Sequence, residues 1–305
     1  MNLLRNDLPE GYPTDYVVSR IRGRRAALTG DWLSLIERGL APGFSEELLW
    51  RGLLKELSWV YRQLNNRLRA IFAPLFLSFE VRTLILCLRN KAARDMGKVA
   101  ELLNYSLLCD EIRQALLAEE EFAKTIKSVA GRLTQFSPQF LGIDEIYGSQ
   151  GLRAFEETLV RTSLEHFSQS KLHPLIRTFF VHFLDQRNLI SFYKHLRWGI
   201  GEAPPYLPGG TIPESKLRDI LAGGKIEELE RLLKPKRGKI KGDGGVEVVL
   251  VRELTKQVRE AGRDVVGMGP ILDYIWRRYI EARNMGTLLY GKELDPDVLA
   301  RELIL

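Results

Sequence analysis

Cysteine and histidine are scarce in this chain. Cys87 and Cys109 are the only two cysteines among 305 residues. Both sit in apolar helical surroundings, which points to buried free thiols rather than a disulfide or a metal site. The four histidines, His166, His173, His182 and His195, fall within thirty residues. Their gaps of 7, 9 and 13 lack the i, i+3 or i, i+4 pairing of a helical metal site, so no metal is expected. No run of eighteen apolar residues occurs, and no transmembrane helix is expected. The opening residues carry Asp7, Pro9 and Glu10 without an apolar centre, unlike a signal peptide.

Nucleotide-binding and catalytic signatures are missing too. There is no G-x-x-x-x-G-K-[ST], no G-x-G-x-x-G after a strand and no H-E-x-x-H. Gly242 to Gly245 is glycine-rich but leads to Glu247 and lacks the lysine and hydroxyl of a phosphate loop. Carboxylates are many, and no two are singled out for acid–base work. These absences predict no catalytic residue and no cofactor.

What is present is helix. Apolar content of 45% and charged content of 28% fit a globular chain able to bury a large core. A net charge of +6 with pI near 9.2 suits an acidic partner or an anionic surface. A first helix is expected over 16–28, with Thr14 or Asp15 as cap and Arg20 and Arg24 on one face. Ser45-Glu46-Glu47-Leu48 opens an amphipathic helix whose apolar stripe reaches Leu68. Pro74 is expected to interrupt it, with a further helix to about Arg94 and another from Lys98 to Leu108. Helical patterning continues through 110–118, 119–130 and 151–167, with 148–151 read as a loop and Gly142 as a break. Pro174 and Pro270 open long helices over about 174–198 and 270–291, as proline favours a first turn. Residues 203–213 read as a linker and 234–245 as a basic, mobile loop. The β-branched run Val246 to Val251 has no second strand to pair with and reads as a helix start. The fold class is all-α.

One motif recurs. Phe79-Glu80-Val81-Arg82-Thr83-Leu84, Leu184-Asp185-Gln186-Arg187-Asn188-Leu189 and Ile280-Glu281-Ala282-Arg283-Asn284-Met285 share an apolar, acidic, any, Arg, Asn or Thr, apolar pattern. The acids are spaced by roughly one hundred residues, which suggests three similar helical units, divided at 1–115, 116–222 and 223–305. Pro213 to Leu221 resembles Pro296 to Ile304 and is read as the same short helix in the second and third units. On a helix the acid and the Asn three positions later share a face, and the Arg at i+2 points elsewhere. Glu80, Asp185, Asn188, Glu281 and Asn284 are therefore candidates for a structural role, tying a neighbouring element. Arg82, Arg187, Lys194 and Arg283 are candidates for holding a partner.

The run Met268-Gly269-Pro270-Ile271-Leu272-Asp273-Tyr274, then Glu281-Ala282-Arg283-Asn284-Met285 and Gly291-Lys292, resembles the C-terminal part of the C-subunit family of the V/A-type ATPases, whose eukaryotic vacuolar member is the d-subunit. Asp185-Gln186-Arg187-Asn188-Leu189 followed by Arg197 resembles that family's second unit; Thr83 departs from it in the first. The resemblance implies an all-helical funnel of three units about a pseudo-threefold axis, without catalytic activity. It implies a rotor part on the cytoplasmic side of the membrane, whose partners are the central-stalk subunits and the membrane proteolipid ring, with no insertion into lipid and no nucleic acid bound. In that role it couples ATP turnover to H⁺ or Na⁺ transport. The competing reading is a basic helical-repeat protein that binds nucleic acid, motivated by Arg20 to Arg25 and Lys234 to Lys241. It lacks the interleaved aromatics such surfaces use.

Overall fold

The computed structural model describes residues 3–41, 43–233, 245–264 and 267–304. Fourteen α-helices and one 3-10 turn account for the described secondary structure, and no strand occurs among these residues. The all-α class holds. The basic loop expected over 234–245 lies, but for Gly245, outside the described residues.

By packing, the chain forms two compact units. One comprises Met1–Pro13 and Leu54–Ile176; the other comprises Thr14–Leu53 and Arg177–Leu305.

The first unit is built on α4, Asn66–Ala92, which follows the end of α3, Glu46–Gln63. Here the structure corrects the sequence reading. The break falls at Leu64 and Asn65, and α4 runs through Pro74. Asn65 caps the new helix by accepting from Leu68 N at 3.0 Å. Tyr12 N donates to the Gln63 carbonyl at 2.8 Å, where Gly11 lies so close to the Gln63 and Leu64 carbonyls that a Cβ would overlap them. An interior proline costs about 3 kcal/mol. Phe72, Leu75, Phe76 and Leu77 around it are all buried, each worth roughly 1.5–3 kcal/mol, so packing wins.

By length and composition α4 is also apolar enough to cross a membrane, which the sequence reading did not anticipate. Inside the unit 61% of that apolar window is buried, and Glu80 and Arg69 on the same helix are buried and hydrogen-bonded. Those features fit the core helix of a globular unit.

Around α4 pack α5, Met96–Leu103; α6, Asp110–Leu117; α7, Phe122–Phe136; and α8, Ile143–Gln169. The helix expected over 98–108 stops at Leu103, because residues 106–109 are held extended by other partners. α8 continues through the loop expected at 148–151 and kinks at Gly151, whose φ of +83° only glycine adopts freely. Lys91 near the end of α4 donates to the carbonyls of Ala115, Leu116 and Ala118, closing the C-terminus of α6. Burial holds its amine below the usual lysine range. Arg89 grips Glu156 of α8 with two bonds of 2.9 and 2.6 Å.

The second unit contains α1, Thr14–Arg25, and α2, Trp32–Arg38, followed by the start of α3. It continues with most of α9, Pro174–Arg197, then α10, Glu214–Ala222; α11, Ile226–Leu233; α12, Val246–Ala261; α13, Gly269–Tyr290; and α14, Pro296–Glu302. Both proline-led long helices and the helix at Val246 form where the sequence places them. α1 packs Val17, Val18 and Ile21 inward and lies on α13. Phe192, Leu217, Ile220 and Leu229 join α9, α10 and α11 in one apolar cluster. Trp32, Leu35, Leu288, Leu299 and Leu303 join α2, α13 and α14 in another.

Candidate functional site

On α9, Asp185 and Asn188 face one extended segment. Thr211 gives Asp185 its backbone N–H at 2.8 Å and its hydroxyl at 2.6 Å, and Ile212 N adds a third bond at 3.1 Å. Asn188 donates from Nδ2 to the Leu207 carbonyl and accepts from Leu207 N, both at 2.8 Å. Gly210 passes so near Asp185 that a Cβ would overlap the carboxylate. The linker at 203–213 is thus a strap fastened along α9, and α10 begins directly after it.

On α13 the same two anchors grip two separate segments. Glu281 Oε1 accepts from Thr29 N at 2.8 Å and from Thr29 Oγ1 at 2.9 Å. Its other oxygen accepts from Arg278 at 2.6 Å. Asn284 donates to the Ile304 carbonyl at 2.9 Å and accepts from Ile304 N at 3.0 Å. Bond for bond, Ile304 takes the place of Leu207, and Thr29 stands in for Thr211 by giving the acid both its N–H and its hydroxyl. The helix that follows the acid-held threonine is α10 in one case and α2 in the other. By that criterion α2, rather than α14, is the counterpart of α10. The likeness of Pro213–Leu221 to Pro296–Ile304 marks two proline-led helices with different positions relative to the anchors.

On α4, Glu80 accepts from Leu107 N at 2.8 Å and from Ser106 Oγ at 2.7 Å. Glu80 is fully enclosed, and burial pushes its carboxyl up to about 7 against the pull of those donors. Thr83, which replaces the Asn, turns its hydroxyl to the Phe79 carbonyl of its own helix at 3.5 Å. A different device does the second fastening here. Arg5 N donates to the Leu107 carbonyl and Cys109 N to the Leu3 carbonyl, each at 2.8 Å, so an N-terminal segment lies along the strap. Buried Arg69 secures that segment through the carbonyls of Leu8 and Pro9 as well as Tyr61. Arg69 occupies the position that aligns with Pro174 and Pro270, each eleven residues before its acid.

The oxygens of these acids and amides are therefore taken up by donors of their own unit, largely main-chain N–H groups. They position chain. The cations at i+2 stand differently. Arg82 is exposed on α4. Arg187 is exposed with its guanidinium 5.2 Å from the centre of the Phe183 ring. Lys194 and Arg283 are brought together by a residue that the motif did not point to. Glu247, in the first turn of α12, lies 3.5 Å from Lys194 Nζ and 3.4 Å from Arg283 Nη2. Arg187 is two turns before Lys194 on the same face of α9.

Elsewhere in this unit, Asp273 is buried between Arg25 at 3.5 Å and Arg277 at 2.9 Å. Nearby, a cavity of about 390 Å³ is lined by Thr29, Trp32, Thr255, Arg259, Arg277 and Ile304 among others. Burial and the neighbouring Arg277 hold the Arg259 guanidinium below its usual range. The histidines are dispersed: His195 Nδ1 bonds the Ser191 carbonyl at 2.9 Å, and His166 packs edge-on against Phe136. Among the described residues no three His, Cys, Asp or Glu side chains are grouped to hold a metal ion.

Thr29, Thr211, Ser106 and Glu247 were invisible to sequence reasoning, since nothing in a lone polar residue between helices says which carboxylate or cation it will meet. A weak signal existed for Thr211 alone, in the glycine and proline density around it.

No individual curated protein matches the chain significantly. A family model described as the ATP synthase (C/AC39) subunit matches residues 30–302, a span that contains all three motif helices. The chain therefore belongs to the ATP synthase (C/AC39) subunit family and is a subunit of a V/A-type rotary ATPase, a membrane-associated complex.

Proposed function

We propose that this protein is a non-catalytic coupling piece of the central rotor, a socket that joins the central stalk to the membrane proteolipid ring on the cytoplasmic side. It transmits rotation between ATP turnover and H⁺ or Na⁺ movement. In this reading the chain comprises three similar helical units about a pseudo-threefold axis, and Arg82, Arg187, Lys194 and Arg283 face the partner. The observation that carries it is the family match over 30–302, supported by the recurrence of one anchoring arrangement on three long helices.

Stiffness is the physical demand. Moving one charge through 100 mV is worth ~2.3 kcal/mol, so a step of several ions stores roughly 10 kcal/mol in the rotor. A joint carrying that load needs helices fixed by bonds that do not slide. A buried carboxylate and amide holding main-chain groups supply such points, because breaking them strands polar groups away from water. The basic balance of the chain suits acidic stalk surfaces.

Affinity purification of the tagged protein from detergent-solubilised membranes of its native host, with mass spectrometry, tests this. Stalk, proteolipid and head subunits should co-purify. Recovery of the protein alone, or with nucleic acid, would overturn the proposal.

A further inference from the structure

We infer that Glu247 is a stand-in for a carboxylate of a partner protein, holding Lys194 and Arg283 until an acidic surface displaces it. The inference rests on the rotor reading and names the chemistry of one contact in it.

Two cations share this single carboxylate, one on each oxygen, at 3.5 and 3.4 Å. Well-formed charged hydrogen bonds are shorter, about 2.7–2.9 Å. Glu247 is 46% exposed, so water screens both contacts and the grip is loose. Arg283 is used by half. Its Nη2 meets Glu247, while its Nη1 is buried without a hydrogen-bond acceptor. A guanidinium normally offers parallel N–H groups to both oxygens of one carboxylate. Glu247 sits on a different helix from either cation and reaches Arg283 through one oxygen only. Arg187, on the Lys194 face of α9, adds a third cation to this side of the unit.

An incoming carboxylate that approaches from the solvent side would take Nη2 of Arg283 and Nζ of Lys194 once Glu247 swings out, while the buried Nη1 stays beyond its reach. Glu247 would lose little, since α12 leaves it in water. The occupant is an acidic side chain on a central-stalk subunit. The excess of cations selects for negative charge, and Lys194 and Arg283, each met by a different oxygen of Glu247, are spaced for a planar two-oxygen group.

The test uses the full-length chain and the co-expressed stalk subunits of the same enzyme, with binding measured at two salt concentrations. Glu247→Gln keeps the shape and removes the competing charge. It should bind the stalk about three- to five-fold tighter, the range expected for release of one exposed pair. Arg283→Gln should weaken binding and cancel the gain in the double variant. Glu157→Gln, which breaks an exposed pair with Arg153 in the other unit, should change nothing. Melting temperatures of all variants establish that they fold. If wild-type chain binds the stalk and Glu247→Gln binds no tighter, the stand-in role is wrong. If Glu247→Gln gains affinity only for anionic phospholipid vesicles, the partner is wrong. If wild-type chain does not bind the stalk, the rotor reading fails, and the partner named here falls with it.

Discussion

Asn284 and Ile304 are joined twice, side-chain Nδ2 to carbonyl and main-chain N–H to Oδ1, at 2.9 and 3.0 Å. Asn188 and Leu207 make the same pair at 2.8 Å each. An asparagine that both donates to and accepts from one residue imitates a neighbouring strand, and fixes an extended segment on a helix that has no free main-chain groups to offer.

Asn284→Ala should therefore leave two buried main-chain groups without partners. At about 1–3 kcal/mol per stranded group the loss should be roughly 2–6 kcal/mol. Thr83→Val removes a hydroxyl whose partners, the Phe79 carbonyl at 3.5 Å and the Glu80 carboxylate, both lie on its own helix, and should cost about 1 kcal/mol. Denaturant titration of both variants checks the contrast; equal losses would contradict it.

Glu80 gives a pH signature. Its folded-state carboxyl is raised from 4.5 to about 7, with burial as the first cause. A raised carboxyl favours the neutral form, so its contribution is fully present below pH 4.5 and is lost as pH rises through 7. At 1.36 kcal/mol per tenfold change, the loss is on the order of 3 kcal/mol. Glu80→Gln stays neutral and removes this dependence. The stability difference between wild type and Glu80→Gln should move in favour of the variant between pH 5 and pH 8. A difference independent of pH would show that Glu80 titrates normally.

Lys91→Met should free the three carbonyls that end α6. Loss of a charged bond to buried carbonyls is worth about 1.5–3 kcal/mol. Hydrogen exchange over 110–118 should rise more than elsewhere in the unit. Uniform acceleration would mean that Lys91 stabilises the unit as a whole and not this helix end.

The two thiols should be inert in the native chain. Cys87 and Cys109 are buried, and burial pushes the Cys87 thiol up to about 12. A chromogenic disulfide reagent should titrate neither without denaturant and both in its presence. Fast native reaction of either would contradict the packing around α4.

Charge reversal at Arg187 should weaken recovery of the stalk subunits in the co-purification while leaving the melting temperature within about 1 °C, because an exposed arginine over a ring contributes little to folding. Retained recovery would remove Arg187 from the partner surface.

Sequence by itself determined the helices and the anchors. The 3.6-residue periodicity, the prolines before α9 and α13 and the recurrent acid–x–x–Asn are local patterns, and local patterns survive because helix formation depends on neighbours three and four residues away. Tertiary structure alone decided where the anchors reach. Asp185 finds its strap within its own stretch of chain, whereas Glu281 finds Thr29 from the far end of the sequence. The break at Asn65 instead of Pro74 was settled the same way, by Tyr12 and Gly11 meeting the end of α3 and by the burial of Phe72 and Phe76. A residue's own chemistry says that it needs a partner; which partner arrives depends on how distant segments bury their apolar faces together.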